Sequence, residues 1–375
     1  MDDIVSLMGM LQILILIPIS FPIVYWIIIS LKTPKADFPE DSIVSGKNIC
    51  VILPMRNESI NVERKLSSVI SEILPHESIE MIVADSNSSD GTRKIATDFL
   101  SSSSLGSERW GIINFDALGK NIALNGVIEG LDAEIIVISD ADANISPGWL
   151  KIVVSRLEEE EVGVVSGIEI EDLAESTGFF SFYRRKSNWL RICESRIDST
   201  PVLEGSILAW NAKKFSNFTF DEKMNADDAQ ICFYSIRQGY RSIIDPRISF
   251  QDFERKQRTM GEAVRRGQGL SLALLRNADL AIFNSRRKSK LAIINAISLY
   301  VLFPWCSLFF SLNATIAFSI NPEIAYSWEA FSIGTIFFLF LTRQGRSLAT
   351  GSLILIIAHI QAIVGKRYQN WEPLR

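Results

Sequence analysis

Histidine and cysteine are scarce in this chain. Its 375 residues include only two histidines, His76 and His359, and four cysteines. The cysteines are scattered and no pair has the spacing of a metal site, so the sequence indicates neither a zinc module nor a disulfide scaffold. Histidine-based catalysis and a histidine-rich metal site are not expected either. Any metal site must therefore use carboxylates, of which the chain has 43.

A surplus of positive charge is missing as well. The formal net charge is −5 and the pI is about 5.4. Proteins that bind nucleic acid usually present a basic surface, so nucleic acid is not an expected partner. The sequence leaves the oligomeric state open.

Charged residues are absent from residues 9–31, an apolar run long enough to cross a bilayer. The acidic leader before it is not typical of a cleaved signal peptide. Lys32 and Lys35 follow the run, so the positive-inside rule places the N-terminus outside and the chain from residue 32 onward in the cytoplasm. We predict an N-terminal transmembrane anchor over residues 1–31 and a linker over residues 32–48.

Further apolar runs lie near the C-terminus. The candidate spans there are residues 291–312, 325–342 and 347–365. The resulting plan has a basic membrane-interface segment (271–290), a C-terminal transmembrane region of about three spans (291–365) and a tail (366–375). One of these runs could be re-entrant, which leaves the number of spans open. The pattern predicts an integral protein of the cell (plasma) membrane.

Short apolar runs alternate with helical patterns between residues 49 and 270. The runs that predict buried strands are residues 49–53, 79–84, 134–139 and 162–167. This alternation is typical of the α/β class, with a mostly parallel sheet flanked by helices. Another helix is predicted to begin at Pro147, with Ser146 as its N-cap.

Polar clusters follow three of these strands. They contain residues 56–58, then Asp85, then Asp140 and Asp142. Ligands of such sheets bind beyond the carboxyl ends of the strands, so the three clusters would deliver carboxylates to one edge. Each cluster alone could be a turn or a helix cap, but together they predict a binding site.

Several motifs follow one another in a characteristic order. They read VILPMRNE, IVADSNSSDGT, LGKNIALNGVIEG, VISDADANISPGWL, EGSILAWNAKKF, FDEKMNADDAQICFYSIRQGYRSIIDP and QRTMGEAVRRGQGL. Over residues 49–270 this set resembles the cytoplasmic catalytic domain of glycosyltransferase family 2, which has a GT-A fold and uses nucleotide sugars. The flanking apolar runs resemble the membrane-bound branch, which includes ceramide glucosyltransferases and polysaccharide synthases.

The resemblance implies a donor site. Pro54, Arg56 and Glu58 would line the pocket for the nucleotide base, and Asp85 would contact the base or the ribose. Lys120 would lie near the nucleotide or its phosphates. The implied donor is a nucleoside-diphosphate sugar, with UDP as the commonest nucleotide in the family.

The resemblance also implies the reacting groups. Asp140 would face the ribose, and Asp142 would hold a divalent cation, Mg²⁺ or Mn²⁺, which suits carboxylate and phosphate oxygens. Asp228 would be the general base, and Asp227 stands where relatives carry Glu. Asp228 opens a predicted helix, whose N-terminus would lower the pKa of its carboxyl group and keep it ionised at neutral pH.

One motif departs from the family pattern. Polysaccharide synthases carry Gln-x-x-Arg-Trp near the acceptor site, whereas this chain has Glu262 at the Gln position and Arg266 at the Trp position, with Arg265 kept. These residues, with Gly205 and Asp227, are assigned to the acceptor or diphosphate region. The missing Trp removes an aromatic platform for a growing chain and favours transfer of a single sugar.

The leading hypothesis is a membrane-anchored, metal-dependent, inverting hexosyltransferase that acts on a lipid or lipid-linked acceptor. The alternatives are a processive polysaccharide synthase and an inactive nucleotide-binding membrane scaffold. Residues 178–195 mix aromatic and basic side chains. This mixture indicates either a helix at a membrane surface near an anionic headgroup or an ordinary helix packed into the core.

Overall fold

The computed structural model describes residues 2–36, 38–42, 44, 46–170, 179–253, 259–284, 286–320 and 341–366. The strands are β1 (Ile49–Met55), β2 (Ile79–Asp85), β3 (Trp110–Asn114), β4 (Ile135–Ser139), β5 (Ala143–Ile145), β6 (Val162–Glu169), β7 (Ile207–Asn211) and β8 (Arg241–Asp252). The helices are α1 (Asp2–Lys32), α2 (Val62–Ile73), α3 (Thr92–Ser102), α4 (Lys120–Ile128), α5 (Trp149–Glu158), α6 (Phe179–Ile197), α7 (Asp227–Arg237), α8 (Met260–Arg276), α9 (Leu280–Phe283), α10 (Arg287–Ile297), α11 (Phe303–Ile320) and α12 (Arg343–Ile363).

These strands form one mixed sheet in the order β3-β2-β1-β4-β7-β6-β8-β5. β1 pairs in parallel with β2 and β4, β2 with β3, and β6 with β8. β7 pairs antiparallel with β4 and β6, and β5 pairs antiparallel with β8. The predicted α/β class is confirmed, and the apolar runs correspond to β1, β2, β4 and β6.

Helices cover both faces of the sheet. β1 is buried along its whole length, which explains why its sequence is continuously apolar instead of alternating. One core lies between the sheet and α2, α3 and α5, and it contains Leu66 and Trp149. The opposite core, under α4, α7 and α10, contains Leu124, Trp210 and Phe233. Burial of each large apolar side chain contributes about 1.5–3 kcal/mol to stability.

The start of α5 differs from the prediction. The helix begins at Trp149, after Gly148 with a φ of 85°, so Ser146 is not its N-cap. Ser146 instead continues the pairing of β5 with β8. The carboxylate of Glu72 caps the helix, because it accepts hydrogen bonds from the N–H groups of Gly148 (2.9 Å) and Leu150 (3.1 Å). A negative charge is also favourable at a helix N-terminus.

Three helices in the described part of the chain are long and apolar enough to cross a membrane. They are Met10–Lys32, Lys288–Asn313 and Gly345–Ile363. They coincide with the runs at residues 9–31, 291–312 and 347–365. The remaining run, residues 325–342, lies almost entirely outside the described residues.

The helices from the two ends of the chain pack together. The hydroxyl of Ser298 donates to the carbonyl oxygen of Pro18 in α1 (2.9 Å). α6 joins this group, because Cys193 packs with Tyr25 of α1 and Ala292 of α10. The candidate membrane helices are therefore attached directly to the sheet-containing domain.

α8 forms a second attachment. Gln268 donates to the carbonyl oxygen of Ala358 in α12 (3.4 Å), and Ser271 and His359 share a hydrogen bond of 2.9 Å. The predicted boundary between residues 270 and 271 falls inside α8. The domain and the predicted interface segment thus share one continuous helix.

Candidate active site

The carboxyl ends of β1, β2 and β3 meet at one edge of the sheet. Met55 is paired with Asp85, and Asp85 with Asn114. The polar clusters after β1 and β2 therefore lie side by side, as predicted. Asn57 and Asn87 in these two loops each have a φ of 54°, a left-handed backbone that Asn tolerates better than most residues.

Hydrogen bonds join these two loops. The N–H of Asn57 donates to Ser88 Oγ (3.0 Å), and Asn57 Oδ1 accepts from the N–H of Ser89 (2.8 Å). The N–H of Glu58 donates to Thr92 Oγ1 (2.8 Å). These hydrogen bonds fix the two loops that are predicted to contact the nucleotide base. Because the loops are ordered before the nucleotide binds, the entropy cost of binding is reduced.

The side chains predicted to bind the nucleoside differ in exposure. Pro54 is buried within β1, whereas Arg56 and Glu58 are partly exposed in the loop after it. Asp85 is 1% exposed, and its carboxylate accepts a hydrogen bond from the hydroxyl of Ser88. Asp85 therefore orders its own loop, and Arg56 and Glu58 reach the solvent at this edge.

Asp140 and Asp142 lie in a turn. The N–H of Ala143 donates to the carbonyl oxygen of Asp140 (3.3 Å), which closes the turn. The side chain of Asp142 is exposed to solvent, yet nearby protein atoms displace part of the water around its carboxyl group. Loss of surrounding water, followed by the charge of Asp140, raises the pKa of Asp142.

A buried lysine lies beneath this turn. Lys65 of α2 is 1% exposed, and its Nζ donates to Ser139 Oγ (2.6 Å) and to the carbonyl oxygen of Ala143 (2.8 Å). Burial lowers the pKa of Lys65 to about 7, against the opposing charges of Asp140 and Asp142. Sequence analysis missed Lys65. In the sequence, Lys65 stands out only as a charged residue next to the apolar stripe of the amphipathic helix α2.

We expect Lys65→Met to weaken metal-dependent nucleotide binding without destabilising the fold. Met occupies similar space and removes the cost of a buried ammonium group, but it leaves the turn after Ser139 without its anchor. Outer partners of metal sites contribute about 10–100-fold to metal affinity, and we expect the lower end of that range. Nucleotide titrations with and without Mn²⁺, combined with thermal unfolding, check this, with exposed Lys151→Met as the control. Unchanged Mn²⁺-dependent affinity would leave Lys65 only a packing role.

Lys120 opens α4 and bridges two carboxylates. Its Nζ lies 2.7 Å from Asp140 Oδ1 and 2.8 Å from Asp227 Oδ2. The contact with Asp227 is an ion pair outside hydrogen-bond geometry. Burial favours the neutral amine, but the two carboxylates outweigh it and raise the pKa of Lys120. Lys120 thus joins the turn after β4 to the start of α7, and its role at the phosphates stays a prediction.

α4 also holds the segment that leads into α7. Asn121 Nδ2 donates to the carbonyl oxygens of Asp221 (3.0 Å) and Met224 (2.7 Å). Asn125 Nδ2 donates to the carbonyl oxygen of Phe220 (2.9 Å). These two amides position the start of α7, and neither was singled out from the sequence.

Asp228 lies in the first turn of α7, as predicted. Its Oδ1 accepts a hydrogen bond from the N–H of Ala229 (2.7 Å). Burial, followed by the charge of Asp227, raises the pKa of Asp228 to about 7. The expectation of a lowered pKa is therefore wrong, because lost hydration and a second carboxylate outweigh the helix dipole. A Cβ added at Gly205 would lie 3.8 Å from Asp228 Cβ, so Gly205 borders this carboxyl group.

α8 brings two arginines towards the same carboxylates. Nε of Arg265 is buried without a hydrogen-bond partner in the described part of the chain. Burial, followed by the charge of Arg266, lowers the pKa of Arg265. Adjacent guanidinium groups with an unused donor suit an anion such as a diphosphate. Glu262 instead closes a capping box with Thr259, so the structure gives it a contact at the start of α8.

Asp252, at the end of β8, was missed by sequence analysis. The antiparallel pairing of β5 with β8 places it opposite Ala143, and the N–H of Phe253 donates to the carbonyl oxygen of Asp142 (2.8 Å). Burial, followed by the charges of Asp142 and Glu169, raises the pKa of Asp252 to about 7. No motif marked Asp252, because its nearness to Asp142 depends on strand pairing.

The donor set at this edge suits a hard divalent cation. Within the described ranges, no three His, Cys, Asp or Glu side chains form a complete metal cage. Mg²⁺ typically takes one or two carboxylates and completes its shell with water and substrate phosphates. The charge of Asp142 disfavours ionisation of its neighbour Asp252, a conflict that a bound cation would relieve. The residues at this edge therefore suit a divalent cation that would be bound by both carboxylate and diphosphate oxygens.

Two arginines of α6 face carboxylates inside the domain. Arg184 Nη1 lies 2.5 Å from Glu169 Oε2, and Arg191 forms an ion pair with Glu204. Although burial opposes ionisation, Arg191 and Arg184 lower the pKa of Glu204, the residue before Gly205. Two basic residues of the stretch 178–195 thus face carboxylates inside the domain, whereas the side chains of residues 178–183 lie outside the described residues.

The chain matches a known family over the part that forms this edge. Residues 50–198 match the profile described as Glycosyl transferase family 2. Over these residues the chain is similar to glycosyltransferase family 2. The predicted resemblance to this family is therefore confirmed.

Curated glycosyltransferases are similar to part of the chain. Glycosyltransferase AglE of Haloferax volcanii is 31% identical over 119 residues, which is 32% of this chain and 38% of that protein. The probable glycosyltransferase YdaM of Bacillus subtilis is 26% identical over 129 residues, which is 32% of this chain and 29% of that protein. The matched segments thus span less than half of either relative.

A solved structure is similar over almost the whole chain. It is the mannosyltransferase PcManGT of Pyrobaculum calidifontis, in complex with GDP-Man and Mn²⁺. The TM-score is 0.78, and the match covers 96% of this chain and 100% of that chain at 23% identity. The predicted GT-A fold is confirmed by this likeness.

Proposed function

We propose that the protein is a membrane-anchored, inverting glycosyltransferase that moves one sugar from a nucleoside-diphosphate sugar to a lipid or lipid-linked acceptor. The observation that carries the proposal is that Lys120 bridges Asp140 and Asp227, which brings the turn that contains Asp142 close to Asp228 at the start of α7. Candidate spans at both ends support a location in the plasma membrane. Lys32 and Lys35 support a cytoplasmic catalytic domain.

On the donor side, this chain binds and orients the nucleotide. Arg56 and Glu58 face the base, and Arg265 and Arg266 bind the diphosphate. Asp142 would hold Mg²⁺ or Mn²⁺, which supplies positive charge to the departing diphosphate. This arrangement stabilises charge where it develops during transfer.

On the acceptor side, Asp228 accepts the proton of the attacking hydroxyl group. A positioned carboxylate base contributes about 10²–10⁴-fold to such a step. Gly205 leaves space beside this carboxyl group for the acceptor. One base acting opposite the leaving diphosphate gives inversion at the sugar carbon.

We expect kcat/KM to rise with pH through a midpoint of about 7 and then to level off, because burial and the charge of Asp227 raise the pKa of Asp228 to about 7. Asp228 is a base only when ionised, so protonation at lower pH removes the active form. Asp227→Asn removes the neighbouring charge and should move the midpoint to lower pH. Exposed Asp98→Asn should leave it in place. A profile without a step near neutral pH would contradict this assignment.

The reaction is tested with the purified full chain, Mn²⁺ and a panel of UDP-sugars and GDP-sugars. We propose a UDP-sugar as the donor, and GDP-mannose is the competitor because the similar P. calidifontis structure binds it. Release of nucleoside diphosphate and mass spectrometry of lipid extracts identify donor and product. No release from any donor would favour the inactive scaffold, and a ladder of product lengths would favour the processive synthase.

A further inference from the structure

We propose that a groove between α1 and α6 binds the phosphate headgroup of a membrane lipid. The groove has a volume of about 440 Å³ and is lined by Trp26, Arg185, Lys186 and Trp189. We call it the Trp26 groove. It rests on the proposed membrane location and not on the proposed sugar transfer.

Two indole rings form one side of the Trp26 groove. The rings of Trp26 and Trp189 lie 5.1 Å apart between centroids and are tilted by 48°. Trp26 is 41% exposed although it belongs to a helix that is apolar along its length. Tryptophan is enriched at the level of lipid headgroups, because its ring is apolar and its N–H is polar.

Two adjacent cations form the other side. Lys186 Nζ lies 5.4 Å from the centroid of the Trp26 ring, and Arg185 beside it is exposed. No acidic residue is among the described residues that line the groove. Arg184 and Arg191, in contrast, face Glu169 and Glu204 inside the domain. Arg185 and Lys186, on the outer face of α6, place a guanidinium and an ammonium group at the groove, where both suit an external phosphate.

The position of the groove favours a lipid over a soluble anion. Trp26 lies in the last two turns of the candidate span Met10–Lys32, close to its basic end. Ile23, three residues earlier on the same side of α1, is 60% exposed. A headgroup phosphate on Arg185 and Lys186 would therefore continue into an acyl or prenyl chain along the apolar surface of α1.

Lipid retention by the full chain tests this proposal. The protein is reconstituted in nanodiscs of phosphatidylcholine with a minor fraction of phosphatidic acid, re-extracted, and its bound lipids are quantified by mass spectrometry. The test variant is R185Q/K186Q, and the matched control is R93Q/K94Q, the same exposed Arg-Lys pair on α3. We expect the wild type and the control to retain phosphatidic acid selectively. R185Q/K186Q should lose about tenfold or more of it, as expected when two basic residues near an anionic surface are removed.

Each outcome of this experiment either supports or overturns the proposed lipid site. Equal retention by R185Q/K186Q and the wild type, or an equal loss in R93Q/K94Q, would overturn the proposal. Displacement of the lipid by inorganic phosphate at low concentration would indicate a soluble-anion site and would overturn the lipid assignment. Trp26→Leu, which keeps α1 apolar, should also reduce selectivity, and unchanged thermal unfolding excludes misfolding. Selective lipid retention without release of nucleoside diphosphate from any donor would refute the proposed function and leave the groove in place.

Discussion

Asp228→Asn should bind nucleotide sugar almost normally and transfer the sugar about 10²–10⁴-fold more slowly. Asn keeps the shape of Asp and an oxygen that accepts the hydrogen bond from the N–H of Ala229. It cannot accept a proton from the acceptor. The substitution also removes one of two adjacent carboxyl groups that oppose each other's ionisation, so we expect no loss of stability.

Transfer by this variant is measured in single turnovers, and nucleotide affinity by calorimetry. Asp132→Asn, an exposed residue in the loop before β4, is the matched control and should behave as wild type. Normal turnover by Asp228→Asn would remove Asp228 from the mechanism. Loss of nucleotide affinity with unchanged single-turnover rate would instead make Asp228 a donor-binding residue.

Four strands of the sheet were predictable from the sequence. β1, β2, β4 and β6 agree with the predicted runs to within two residues. β1 and β4 are buried along their whole length and are almost entirely apolar, so they are visible without knowledge of their neighbours. β3 is partly exposed and β5 has three residues, so neither produces an apolar run. Their place in the sheet depends on pairing with distant strands.

The parts of the site that depend on tertiary contacts were not predictable. Asp142 follows an apolar run and was visible, but Asp252 reaches it only through the pairing of β5 with β8. Lys65 was hidden because its partners belong to a turn more than seventy residues away along the chain. On α6, Arg184 faces a carboxylate inside the domain, whereas its neighbour Arg185 is exposed. Composition cannot separate two adjacent residues that point to different faces of a helix.

Asp142→Asn should abolish the contribution of Mn²⁺ or Mg²⁺ to nucleotide affinity. An amide keeps the size of the side chain but loses the charge that a hard divalent cation requires. Outer partners of metal sites are worth about 10–100-fold in metal affinity, so a direct ligand should exceed that range. The fold should persist, because burial and the charge of Asp140 already disfavour the ionised form of Asp142.

The measurement is a nucleotide-sugar titration in the presence of Mn²⁺ and again in EDTA. The wild type and Asp98→Asn should bind more tightly with Mn²⁺, whereas Asp142→Asn should show the same weak affinity in both conditions. Asp252→Asn distinguishes the role of Asp252, at the end of β8, from that of Asp142. If Asp252 shares the ion, its variant loses part of the Mn²⁺ effect; if Asp252 only orders β8, the effect stays intact. A full Mn²⁺ effect in Asp142→Asn would place the cation elsewhere, because no substitute carboxylate is available in the side chain of Asn.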